Sequence, residues 1–127
     1  MPLKEAVELV RKAKAYLKRT KFKEAMAHAE KAVALDPRFA EGWFVRASIF
    51  ADTGRYKEAL DDCDKAISID PNYADAWTKK SVVFYNLERY KDGLLASTRA
   101  SSLNGNDATA WYMKGVCLDE LNRSDEA

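Results

Sequence analysis

Apolar and polar positions in this chain recur on two scales. Within stretches of about a dozen residues, the apolar and small positions follow the i, i+4, i+7 spacing of one helix face. Leu9, Ala13 and Tyr16 do so, and Trp43, Ala47 and Phe50 do so again. The stretches themselves return every 34 residues, most visibly as "ALDPRFAEGW", "SIDPNYADAW" and a weaker "SLNGNDATAW". With position 1 at Ala6, Ala40, Ala74 and Ala108, position 4 is Leu9, Trp43, Trp77 and Trp111, and position 8 is Ala13, Ala47, Ser81 and Gly115. Position 11 is Tyr16, Phe50, Phe84 and Leu118; position 17 is Phe22, Tyr56, Tyr90 and then Ser124. Position 20 is Ala25, Ala59, Gly93 and Ala127, and position 27 is Ala32, Ala66 and Ala100.

Each unit reads as two helices. The first breaks near position 15 (Thr20, Gly54, Glu88, Asn122), and the second starts at the position-17 aromatic. It ends before position 32, where Pro37 and Pro71 cannot continue a helix. Small residues at positions 8 and 20 let two helices approach closely, and the large ones fill the space between hairpins. A single hairpin cannot bury such a face, so stacking is the physical purpose of the repetition. The chain is expected to be all-α, with repeats over 6–39, 40–73 and 74–107 and a partial repeat over 108–127, in one array. Ser124 reads as a helix cap followed by Asp125 and Glu126, the start of a further helix. That makes seven helices plus a truncated eighth, and reads as part of a longer protein. The apolar surface so left uncovered is a candidate for self-association.

These positions resemble the tetratricopeptide repeat, whose unit carries W at 4, a small residue at 8, Y at 11, A at 20, A at 27 and P at 32. The resemblance runs from Ala6 to Ala127 and is strongest over Ala40 to Tyr73. It implies a right-handed superhelical solenoid of antiparallel helix hairpins. Position 7 departs from it, with Lys12, Arg46, Lys80 and Lys114 where the family places an aliphatic residue. Their long stems are expected to lie along apolar surface.

Charge and chemistry add little. The net charge is +1, unevenly spread: +5 over residues 1–39 and −3 over residues 40–73. No apolar run approaches the ~20 residues a membrane span needs, and "MPLKEAVELV" does not read as a signal peptide. A cytoplasmic setting is the default. Cys63 and Cys117 stand 54 residues apart and read as small buried apolar residues. His28 has no ligand partner at metal spacing, and Asp61, Asp62 and Asp64 read as a solvated face, because neighbours on a helix point apart. No phosphate loop or activated nucleophile is present, so neither an enzyme nor a cofactor is expected. Nucleic-acid binding through Arg11, Lys14, Lys18, Arg19, Lys21 and Lys23 is disfavoured by the near-neutral net charge.

Protein recognition remains. The resemblance implies that first helices line a concave groove through positions 2, 5, 6, 9, 12 and 13. The candidate partner-binding residues are Val10, Arg11, Lys14, Phe44, Val45, Ser48, Lys79, Val82, Tyr85, Tyr112, Met113 and Val116, none of them needed by the repeat's own core. Such a strip suits an extended or helical segment of a protein or peptide partner, apolar with acidic flanks. The carboxylate clamp of chaperone-binding members would fall on Val10, Lys14, Val45, Asp75 and Lys79, or on Phe44, Ser48, Lys79, Thr109 and Met113. Only Lys79 fits, so chaperone tails are disfavoured. A self-assembling scaffold is the alternative.

Overall fold

A computed structural model describes residues 1–126, with side chains through residue 123. Among the described residues there are seven helices and no strand: α1 (Lys4–Lys18), α2 (Phe22–Leu35), α3 (Ala40–Asp52), α4 (Tyr56–Ile69), α5 (Ala74–Asn86), α6 (Tyr90–Leu103) and α7 (Ala108–Glu126). Met1–Pro71 form one compact unit and Asn72–Ala127 a second, the division falling at the proline of a repeat corner.

In the first unit the periodic residues form one core. Val10 and Ala13 of α1, Ala25, Ala29 and Ala32 of α2, and Val45 and Ile49 of α3 are buried together. Leu9, Tyr16, Phe22, Met26 and Phe39 pack around them. The alanines allow the close approach, and each fully buried Val or Ile contributes about 1.5–3 kcal/mol.

The turn inside each hairpin has one design. Position 15 adopts a left-handed conformation: φ is 55° at Thr20, 79° at Gly54 and 59° at Glu88. The next N–H reaches back to the position-11 carbonyl, from Lys21 to Tyr16 (2.9 Å), Arg55 to Phe50 (2.8 Å) and Arg89 to Phe84 (2.8 Å). This bond satisfies a carbonyl the helix end would leave open. Only Gly54 adopts the conformation without a Cβ penalty.

The fourth repeat departs from expectation. α7 runs through Asn122 and Ser124 to Glu126 as one helix, so among the described residues there is no turn at Asn122 and no helix start at Ser124. The complete hairpins have Phe22, Tyr56 or Tyr90 at position 17 to anchor the returning chain, whereas Ser124 offers no apolar anchor and the backbone keeps its helical bonds. The side chain of Ser124 and the position-20 residue Ala127 lie outside the described residues. Gly115, the small residue of this repeat, has open space where its counterparts meet a second helix. Gly93 shows the filled version: a Cβ there would stand 2.8 Å from the Cys117 sulfur and 3.5 Å from the Ser81 carbonyl oxygen.

One expectation is corrected by side-chain packing. Asp62 is buried, not part of a solvated face, and accepts two hydrogen bonds from Arg46, at 2.7 and 2.9 Å. Arg46 in turn lies 5.1 Å from the Trp43 ring centre and 5.5 Å from that of Phe50. The cation at position 7 is thus sandwiched by the aromatics at positions 4 and 11, and Lys80 is held the same way between Trp77 and Phe84. The weaker "SLNGNDATAW" corner is tied by polar contacts. Asp107 accepts the Ala110 N–H (3.2 Å) at the start of α7 and the Thr78 hydroxyl (2.7 Å). Trp111 donates to the Gly105 carbonyl at 2.8 Å, as Trp43 does to that of Pro37.

Candidate functional site

In the first unit the inner faces of α1 and α3 enclose an open hollow of about 660 Å³. Arg11, Lys14, Ala15, Leu17 and Lys18 line it from α1, one helical turn apart, and Phe44, Val45, Ser48 and Asp52 line it from α3. The floor is apolar: Leu17 and Phe44 pack on the core and Val45 belongs to it. Ser48 donates its hydroxyl to the Phe44 carbonyl (3.1 Å) and so adds no free donor to the floor.

The rim is cationic. Arg11 pairs with Glu8 one turn earlier, and the hydrogen bond holds the Glu8 carboxyl below its usual range. Lys14 reaches Glu41 of α3 at 2.6 Å. Lys18 makes no ion pair among the described residues, so its charge is available, and Asp52 stands on the opposite side. An apolar floor with basic groups on one edge can hold an apolar side chain and neutralise acidic neighbours in the same segment.

The second unit has a smaller hollow of about 450 Å³, lined by Tyr85 of α5 and by Val116, Asp119, Glu120, Asn122 and Arg123 of α7. Arg123 is paired with Glu120 at 3.0 Å, and Tyr85 tilts against Tyr90, ring centres 5.6 Å apart. The balance here is acidic, opposite to the first hollow.

Of the residues expected to contact a partner, Arg11 and Lys14 are exposed, Phe44, Lys79, Val82, Tyr85 and Val116 are half-buried, and Tyr112 is two-thirds exposed. Val10 and Met113 are core residues at 1% and 5% exposure, and Val45 and Ser48 are buried at 2% and 7% while lining the hollow from beneath. For Val10 the reason is the approach of α3. Val10 Cγ2 lies 3.9 Å from where a Cβ on Gly42 of α3 would be. The expectation passed over Leu17, Lys18, Asp52, Asp119 and Glu120, although all five stand at positions 12 and 13 of the groove rule.

Cys63 and Cys117 are buried, and burial raises the Cys117 thiol above its ordinary value. No group of three or more His, Cys, Asp or Glu among the described residues can hold a metal ion. No helix among them is long and apolar enough to cross a membrane.

Comparison with known proteins agrees with this geometry. The family model described as "Tetratricopeptide repeat" matches residues 10–74. No curated protein matches. Among solved structures, the Sgt2 TPR domain of Aspergillus fumigatus superposes with a TM-score of 0.94 at 19% identity, covering 99% of this chain and 85% of that one. The first TPR domain of human RPAP3 gives 0.91 at 21% identity, covering 97% of each. The TPR2B domain of yeast Sti1, solved as a complex with pHsp70, gives 0.83 at 23%, covering 94% and 98%.

Proposed function

This chain belongs to the tetratricopeptide repeat family, and from that premise we propose that it is a protein-interaction module whose α1–α3 hollow holds a segment of a partner protein. The observation that carries the reading is the apolar floor of Leu17, Phe44 and Val45 beneath Arg11, Lys14 and Lys18. An apolar anchor seats on the floor, and acidic residues flanking it meet Lys18 and Lys14. The Sti1 domain in complex with pHsp70 supports a peptide as the ligand type. A chaperone tail held by a carboxylate clamp is a poor fit, because Val10 and Val45 occupy clamp positions as buried apolar residues.

The test is fluorescence anisotropy with a labelled peptide of leucine flanked by aspartates, against its lysine-flanked twin. The acidic peptide is expected to bind and the basic one to fail. Phe44→Ala with Lys18→Glu should weaken binding by about tenfold or more, given ~1.5–3 kcal/mol for a charge-assisted contact. Equal affinity of the two peptides, or of the variant with its helicity intact, overturns the reading.

A second reading, self-association, is favoured by one observation: Trp111 is 50% and Leu118 42% exposed on the α7 face that carries Gly115. Copies meeting through that face would show a mass that falls on dilution in light scattering. Trp111→Ser with Leu118→Ser should abolish that dependence, and a mass constant on dilution rules the reading out.

A further inference from the structure

Adjoining the groove around α1 lies a second hollow, of about 290 Å³. It is lined by Arg11, Lys12, Ala15, Tyr16 and Arg19 of α1 and by His28 of α2. Three of these six side chains are cationic. Arg11 pairs with Glu8, whose carboxylate also faces the charge of Lys12 one turn on, and Arg19 forms no ion pair among the described residues, so the cations here outnumber the one carboxylate beside them. The remaining excess of positive charge attracts an anion.

The hollow is also pre-shaped. The His28 ring donates from Nδ1 to the Glu24 carbonyl at 2.9 Å and packs on Tyr16, ring centres 5.2 Å apart. That hydrogen bond sets the tautomer and leaves Nε2 as the ring's remaining polar atom. The Tyr16 side chain is also packed against the buried core of the first unit. Arg11 and Ala15 line both this hollow and the α1–α3 groove. A chain leaving the groove over Arg11 and Ala15 therefore arrives at the basic cluster.

We propose that this hollow receives a phosphorylated side chain of the partner segment held in the neighbouring groove, an assignment that rests on the peptide-binding reading. A phosphomonoester presents three terminal oxygens and close to two negative charges, and so can be met by Lys12, Arg19 and the Arg11 edge at once. A carboxylate has two oxygens and one charge and would leave part of the cluster unanswered. A nucleic-acid backbone would need a basic stripe, whereas the cluster is a single hollow on a chain of net charge +1.

The test uses the whole 127-residue chain, labelled with nitrogen-15. The probes are a capped Gly–phosphoserine–Gly tripeptide, its unphosphorylated twin and oligouridylate at equal phosphate concentration. The phosphopeptide is expected to give saturable amide shifts at Lys12, Ala15, Tyr16, Arg19 and His28, and the twin none. Lys12→Gln with Arg19→Gln should weaken it about tenfold, with unchanged helicity, since both side chains are exposed. The proposal is overturned if sodium chloride at matched ionic strength reproduces the shifts, if oligouridylate binds more tightly than the phosphopeptide, or if the double variant binds as well as the parent. The tripeptide carries no apolar anchor, so its failure leaves the groove result standing, whereas failure of the leucine–aspartate peptide beside a binding tripeptide leaves a phosphate site and overturns its link to a segment in the groove.

Discussion

Replacing Arg46 by Met should cost this protein more than replacing Asp62 by Ala, although each removes the same two hydrogen bonds. The asymmetry follows from burial: the Asp62 side chain is 5% exposed and that of Arg46 23%. Without Arg46, a carboxylate remains in the α3–α4 interface with no cation to meet it, and about 3 kcal/mol is expected, the low end for breaking a buried pair. Without Asp62, the guanidinium keeps the Trp43 and Phe50 faces and its edge in water, so about 1.5 kcal/mol is expected. The double variant should cost about 2 kcal/mol, less than the larger single, because neither charge is then stranded. Urea unfolding followed by circular dichroism reads these values. With a slope of about 2 kcal/mol per molar, Arg46→Met should lower the midpoint by about 1.5 M. If the two single variants are equally destabilised, or their effects simply add in the double, the pair is not the buried, coupled unit described.

The hairpin turns predict opposite signs for glycine. Thr20→Gly and Glu88→Gly should each stabilise by about 0.5–1 kcal/mol, because both hold φ near 55–59° with a Cβ, whereas Gly54→Ala should destabilise by about 1 kcal/mol despite open space around it. Thermal melts check the signs, and a rise on Gly54→Ala would refute the strain argument. Asp107→Ala removes the acceptor for both the Ala110 N–H and the Thr78 hydroxyl, and should cost about 1–2 kcal/mol in urea unfolding. A loss no larger than that of Thr78→Val would show that the bond at the start of α7 carries nothing. In acid, hydrogen bonds hold the Glu8 carboxyl (from Arg11) and the Glu58 carboxyl (from its own N–H and Arg55) below their ordinary values. A depressed folded-state pKa gives stability that is present above the unfolded value near ~4.3 and lost as pH falls through the folded one. Glu8→Gln with Glu58→Gln should therefore flatten the acid limb of a melting-temperature profile, and an unchanged limb would refute it.

The repeat made the helices legible from sequence. The turn residue at position 15, the aromatic that opens each second helix and the small residues at positions 8 and 20 act within one hairpin, so their spacing alone carries the information. At its far end α7 continues through the position of the expected turn to Glu126. Which side chains face a partner was another matter. The 34-residue frame places Val10 and Lys14 on one face, yet only the approach of α3 makes Val10 core and leaves Lys14 at a rim. The same limit applied to Asp62, whose neighbours Asp61 and Asp64 disguise it until Arg46 arrives from another helix. His28, without ligand partners in sequence, meets Tyr16 only when α2 folds back on α1. Periodicity determines which residues share a helix face, because that is set by backbone geometry within a dozen residues. Whether a face is closed, paired or open depends on what packs against it, and that is decided only when helices distant in the chain come together.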